Sequence, residues 1–87
     1  MVRQKITIKN PTGLHLRPAG KLCDEAIKYH SKISFQRGNM ITNAKSLLSV
    51  LAACVKCGEE IEFTCEGDDE AEAMAAIAAV INSGLGE

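Results

Sequence analysis

Between Glu60 and Glu66 the chain alternates without a break, with Ile61, Phe63 and Cys65 on one side of an extended backbone and Glu60, Glu62, Thr64 and Glu66 on the other. Successive side chains of a strand point to opposite faces, so this segment offers one face to a core and one to water. Strands of fully covered parallel sheets read instead as continuous apolar runs. The segment therefore predicts a strand in a sheet that is covered on one side only.

The rest of the chain supplies what such a sheet needs. Val2 to Lys9 nearly alternates, with Val2, Ile6 and Ile8 on one face and Arg3, Lys5, Thr7 and Lys9 on the other; only Gln4 breaks the pattern. Lys32 to Arg37 puts Ile33 and Phe35 on one face, and Gly38-Asn39 is a two-residue hairpin signal into a short strand from Met40 to Asn43. Between strands the period changes. From Leu16 to about Lys28, the residues Ala19, Leu22, Cys23, Ala26 and Ile27 recur at helical spacing and leave Arg17, Lys21, Asp24 and Lys28 for water. Ser46 is placed to cap a short helix from Leu47 to about Cys54, and Gly58 ends that unit. After the turn Gly67-Asp68-Asp69, where Asp69 and Glu72 have capping-box spacing, an alanine-rich helix runs from about Glu70 to Ser83. It sets Met74, Ile77, Ala78 and Ile81 on one stripe, and Gly84 closes it.

The order is strand, helix, strand, strand, helix, strand, helix, with one apolar face per element. A two-layer α+β sandwich satisfies it most economically, with the helices on one side of the sheet. At 87 residues there is room for a single domain, 1–87, and no linker or repeat divides it. Ten Lys and Arg against eleven Asp and Glu give a net charge of −1, which provides no electrostatic footprint for nucleic acid or an anionic membrane. No apolar run approaches the roughly 20 residues of a membrane span, and Met1 to Lys5 leads into a strand rather than a signal-peptide core. A cytoplasmic location with reduced thiols is the expectation.

One segment carries chemistry as well as structure. Gly13-Leu14-His15-Leu16-Arg17-Pro18-Ala19 sets a histidine where the strand pattern gives way to the helix pattern. A helix N-terminus presents unpaired N–H groups and the positive end of the dipole, so an anion beside His15 is favoured there, and Arg17 adds a cation. Pro18 falls in the first helical turn, where its missing N–H breaks no intrahelical bond. Gly13 supplies a tight bend. A neutral imidazole nitrogen is a competent nucleophile toward phosphorus, and backbone amides at Leu16 and Arg17 together with the guanidinium would hold the transferred group. Taken alone, a histidine in such a place is a helix cap or a solvated loop residue; the combination with Arg17 and Pro18 points to a phosphoryl carrier.

That segment resembles the active-site signature of HPr, the histidine-containing phosphocarrier of the bacterial sugar phosphotransferase system. The resemblance spans nearly the whole chain, including the element order and a Gly84-Leu85-Gly86-Glu87 ending common in Gram-positive members, and it implies an open-faced sandwich of four antiparallel strands covered on one face by three helices. It implies that His15 accepts a phosphoryl group from phosphorylated enzyme I through its Nδ1 nitrogen and passes it to IIA domains of sugar permeases. No cofactor is implied, and a monomer is the expected working state. Leu16 departs from the family, in which the residue after the histidine is often small; its amide still suits phosphate, but its side chain alters the approach of partners.

Ser46, preceded by Lys45, matches the serine that an ATP-dependent HPr kinase/phosphorylase modifies in Gram-positive relatives, with a catabolite-control transcription regulator as the implied reader. On position alone it is a plain N-cap. A phosphate there is compatible with the helix dipole and changes the surface potential. Leu47, Leu48 and Leu51 follow helical spacing and on that ground alone are core residues. Three leucines exceed what one stripe of a short helix needs, however, and the HPr resemblance puts the exposed ones beside His15, which implies an apolar docking patch ringed by Arg17 and Lys21. Leu48 and Leu51 stand where methionine or another large residue is frequent in the family.

Two other readings compete. Cys54-x-x-Cys57, with Cys65 and Cys23, suggests a metal or redox module, but a structural zinc site wants a second pair at similar spacing, and Cys23 and Cys65 fall at predicted core positions. An HPr-fold regulatory domain without phosphotransfer tends to lack the histidine that is present here. The Lys45-Ser46 match and the ending favour the carbohydrate branch over a nitrogen-branch paralogue. His30 reads as a solvated residue at the end of the first helix.

Overall fold

The alternating segment lies inside the sheet. In the computed structural model, which describes residues 1–87, β4 (Glu60–Glu66) pairs antiparallel with β1 (Val2–Thr7) on one side and β2 (Lys32–Arg37) on the other. β3 (Met40–Asn43) adds to the far edge of β2 through the Gly38-Asn39 turn, giving the order β1-β4-β2-β3. Ile6 lies opposite Ile61, Cys65 opposite Val2 and Ile33, and Phe63 opposite Phe35. The register thus stacks the apolar positions of three strands on one face. The Phe35 and Phe63 rings meet at 5.3 Å between centroids, tilted by 49°.

Three helices cover that face: α1 (Leu16–Ala26), α2 (Leu47–Ala52) and α3 (Glu70–Asn82). Leu22, Cys23 and Ala26 of α1 and Ala73, Met74, Ile77 and Ile81 of α3 are buried against Ile33, Phe35, Ile61, Phe63 and Cys65. Burying the Leu, Ile, Phe and Met side chains among them stabilises by about 1.5–3 kcal/mol each before the entropy of ordering is subtracted. No helix is long and apolar enough to cross a membrane.

Element ends differ from the sequence expectation in identifiable ways. β1 stops at Thr7 rather than Lys9, because Ile8 bonds irregularly, its N–H to the Glu59 carbonyl at 2.9 Å and its carbonyl to the Gly58 N–H at 2.7 Å. α1 ends at Ala26 rather than Lys28. The Lys28 and Tyr29 amides donate three residues back, to Glu25 and Ala26, at 3.3 Å, and this tightened turn leaves Ile27 61% exposed instead of in the buried stripe. α2 ends at Ala52 because Cys54 takes a left-handed conformation, φ +54°. α3 ends at Asn82, with Ala78 only half-buried.

The capping box at Asp69 and Glu72 does not form. The Asp69 carboxylate turns away from α3 and accepts from the Ser31 hydroxyl at 2.5 Å, the His30 amide at 2.8 Å and the Ser31 amide at 2.9 Å. Glu70 takes over the helix start, accepting from the Gly67 amide at 3.2 Å and the Met1 ammonium at 2.7 Å.

Candidate functional site

His15 is the N-cap of α1. Its backbone is extended (φ −73°, ψ −179°), its carbonyl accepts the Ala19 amide at 2.7 Å, and its imidazole is exposed with no bond to the helix end. Leu14 and Pro18 on either side are buried, so the backbone that carries the ring is anchored while the ring is free. The Leu16 and Arg17 amides, first and second in the helix, have no acceptor within the protein. Arg17 and Lys21 are exposed, and neither takes part in an ion pair. The site is therefore two free N–H donors, a free guanidinium and an imidazole around one exposed helix start.

Gly13 explains why the approach to His15 is so tight. It has φ +67°, and a Cβ there would lie 2.5 Å from the Val55 carbonyl oxygen and 2.8 Å from the Lys56 Cα. Only glycine fits both the conformation and the space. The Leu14 amide then bonds the same Val55 carbonyl at 2.9 Å. The Val55 segment is itself held: Arg37 grips the Glu59 carboxylate at 2.7 and 3.1 Å and donates to the Ala53 carbonyl at 3.2 Å. The guanidinium bonds, followed by the Lys56 amide at 2.9 Å, keep the Glu59 carboxyl below its ordinary value.

A shallow depression opens beside the imidazole. His15, Leu16 and Leu51 line it, together with Thr12, Cys54 and Lys56, which sequence reasoning did not assign to the site. The left-handed Cys54 is what brings this segment back toward His15, and nothing in its residue type signals that conformation. Leu47, Leu48, Arg17, Lys21 and Ser46 lie outside the depression. Leu16 is 66%, Leu48 80% and Leu47 37% exposed, Leu51 is half-buried, and Val50 takes the core position of α2. The larger concavity of the molecule lies along the uncovered side of the sheet, among residues such as Lys32, Ser34, Glu62 and Thr64, away from His15.

Ser46 is the N-cap of α2, as its position implies. Its Oγ accepts the Ser49 amide at 3.3 Å and its carbonyl accepts the Val50 amide at 3.0 Å. The cysteines do not converge. Cys23 and Cys65 are buried in the core, where desolvation pushes both thiols up. Cys54 and Cys57 are exposed and donate to separate carbonyls, those of Leu51 and Lys9. The four thiols therefore do not form the convergent set that a structural zinc site needs, and the Cys54 and Cys57 thiols are directed at different carbonyls rather than at each other. His30, also exposed, lies near Asp68 and Asp69, but Asp69 is already engaged by Ser31 and the His30 amide.

A sequence profile described as the PTS HPr component phosphorylation site matches residues 2–83. The multiphosphoryl transfer protein of Vibrio cholerae is 43% identical over 83 residues, 92% of this chain and 21% of that protein, so the chain spans about a fifth of that relative. The phosphocarrier protein HPr of Treponema pallidum is 39% identical over 77 residues, 88% of each chain. Among solved structures, HPr-C-His from Thermoanaerobacter tengcongensis superposes with a TM-score of 0.96 at 40% identity, covering 100% of this chain and 98% of that one. An HPr dimer from the same organism gives 0.80 at 40% identity over 100% of both chains. These matches define the class: phosphocarriers of a phosphotransferase system, which are not stand-alone enzymes. Within that class the chain belongs to the HPr family.

Proposed function

We propose that His15 accepts a phosphoryl group from phosphorylated enzyme I and delivers it to IIA domains of sugar permeases. The observation that carries this reading is the exposed imidazole at a helix start whose Leu16 and Arg17 amides and Arg17 guanidinium have no other partner. The lone pair of the unprotonated ring nitrogen forms the N–P bond as the bond to the donor breaks, and that electron pair leaves with the donor. The new charge then lies beside two N–H donors and a guanidinium that need no rearrangement to receive it. Release follows because this grip is partly exposed to water and a partner's acceptor group competes for it.

Leu47, Leu48 and Leu51, with Lys21 and Arg17 on α1, form the docking surface in this reading, and Leu16 adds an apolar contact at its centre. Ser46 acts as a brake. A phosphate there, placed by an HPr kinase/phosphorylase, adds close to two negative charges beside that surface, weakening docking to enzyme I and creating a site for a catabolite-control regulator. The carrier works in the cytoplasm as a monomer, without a cofactor and without nucleic acid. Incubation with phosphoenolpyruvate and enzyme I tests the reading: the parent takes up acid-labile phosphate and a His15→Ala variant does not, whereas a variant that still loads contradicts it.

A further inference from the structure

The segment that presents His15 is tied from the far end of the chain. Gly84, Leu85 and Gly86 all have positive φ, +93°, +52° and +84°, which turns the chain back on itself after α3. The turn buries Leu85 completely, and the Glu87 amide closes it on the Gly84 carbonyl at 3.0 Å. The returning chain passes over α1, where a Cβ on Gly86 would lie 3.3 Å from the Lys21 Cε. Glu87 then reaches the loop before His15. Its Oε1 accepts from Asn10 Nδ2 at 2.8 Å and from the Thr12 amide at 3.2 Å, and the Thr12 hydroxyl lies 2.8 Å from both carboxylate oxygens.

Asn10 relays this contact. It is 3% exposed, and its Nδ2 bridges Glu87 and the Gly13 carbonyl, the latter at 2.7 Å. Its Oδ1 is buried with no partner. An unpaired buried acceptor is unfavourable, so the two N–H bonds fix the amide strongly enough to outweigh it. The Gly13 amide returns to the Asn10 carbonyl at 3.1 Å, and the next two residues are Leu14, anchored on Val55, and His15. The hydrogen bonds of Asn10 and Thr12 hold the Glu87 carboxyl below its ordinary value, with Arg17 contributing its charge.

We propose that Glu87 is a positioning residue for phosphoryl transfer: through Asn10 and Thr12 its carboxylate fixes the loop from which the His15 imidazole projects. The role rests on the carrier reading given above, because it is transfer at His15 that the loop geometry serves. Loss of the tie lets the ring wander from the Leu16 and Arg17 donors while Leu85 keeps the fold intact. Small displacements of a reacting group are enough to slow a transfer.

Two variants of the full chain test it. Glu87→Ala removes the acceptors; Glu87→Gln keeps one carbonyl oxygen for Asn10 and the Thr12 amide. The expected result for Glu87→Ala is Thr12 and Gly13 amide exchange faster by about tenfold, read by NMR on the unphosphorylated protein. Loading by enzyme I should lose about tenfold in kcat with KM nearly unchanged, and Glu87→Gln should recover part of both. Glu87→Ala with parent exchange rates, or with a looser loop but parent kcat, overturns the role alone. A parent that does not load on His15 overturns the carrier reading and this role with it, and the exchange rates separate the two failures.

Discussion

The carbonyl of His15 accepts the Ala19 amide at 2.7 Å, so the residue that bears the exposed imidazole is also the one that starts α1. Ring and donors therefore meet at one helix start, and the imidazole keeps its place beside the Leu16 and Arg17 amides as long as both the first helical turn and the loop leading into it hold. The fixed geometry makes the site open to substitution experiments with distinct outcomes.

Arg17 is exposed and in no ion pair, so its removal should touch chemistry and leave folding alone. Arg17→Gln should change stability by less than about 0.5 kcal/mol in urea unfolding. Charge-assisted bonds contribute about 1.5–3 kcal/mol, so loading of His15 should slow by about tenfold or more. Parent kinetics in this variant would remove Arg17 from the account.

Gly13→Ala should act in the opposite way. The added methyl meets the Val55 carbonyl oxygen at 2.5 Å in a backbone with φ +67°. Strain and clash together should cost about 2 kcal/mol or more, seen as a lower urea midpoint with an unchanged slope. A midpoint equal to the parent would mean that the Gly13–Val55 approach is not as close as described.

Ser46 has two separable roles. Ser46→Ala loses the bond from the Ser49 amide and should destabilise by about 1 kcal/mol, measured by thermal unfolding. Ser46→Asp keeps a capping oxygen, so stability should stay near the parent's while loading from enzyme I slows. If loading is unchanged, the brake is not electrostatic.

Asp69 predicts a pH dependence of stability. The Ser31 hydroxyl first, then the His30 amide, lowers its carboxyl from 3.8 to about 2. A depressed carboxylate stabilises the fold fully above its unfolded value and loses that contribution as pH falls through the folded one. Asp69→Asn should therefore be less stable than the parent at neutral pH, and the difference should shrink as acid takes the parent from pH 3.8 to about 2. Acid titration of unfolding by circular dichroism checks this, and a constant difference across that range contradicts it.

The legible and illegible parts of the sequence differ by physical cause. Alternation in Glu60–Glu66 and helical spacing in Leu16–Ala26 report which side of an element is buried, so the sheet, its three helices and the junction at His15 could be read directly. Ile27 was assigned to the buried stripe because periodicity does not register where a last turn tightens. Asp69 matched a local capping pattern, yet a tertiary partner thirty-eight residues away, Ser31, competed for the same oxygens and won. Glu87, Asn10 and Thr12 were missed because their contact joins the two ends of the chain. The one available signal was Leu85, an apolar residue between two glycines in an otherwise polar ending, which the structure buries completely.

The central claim is that His15 carries the phosphoryl group. Mass spectrometry of the protein after incubation with phosphoenolpyruvate and enzyme I, digested at neutral to alkaline pH, tests it most directly. The account predicts one added phosphate, mapped to the peptide containing His15 and lost on brief acid treatment. A phosphate mapped to His30 or to a serine under these conditions, or none at all with an active enzyme I, would contradict it.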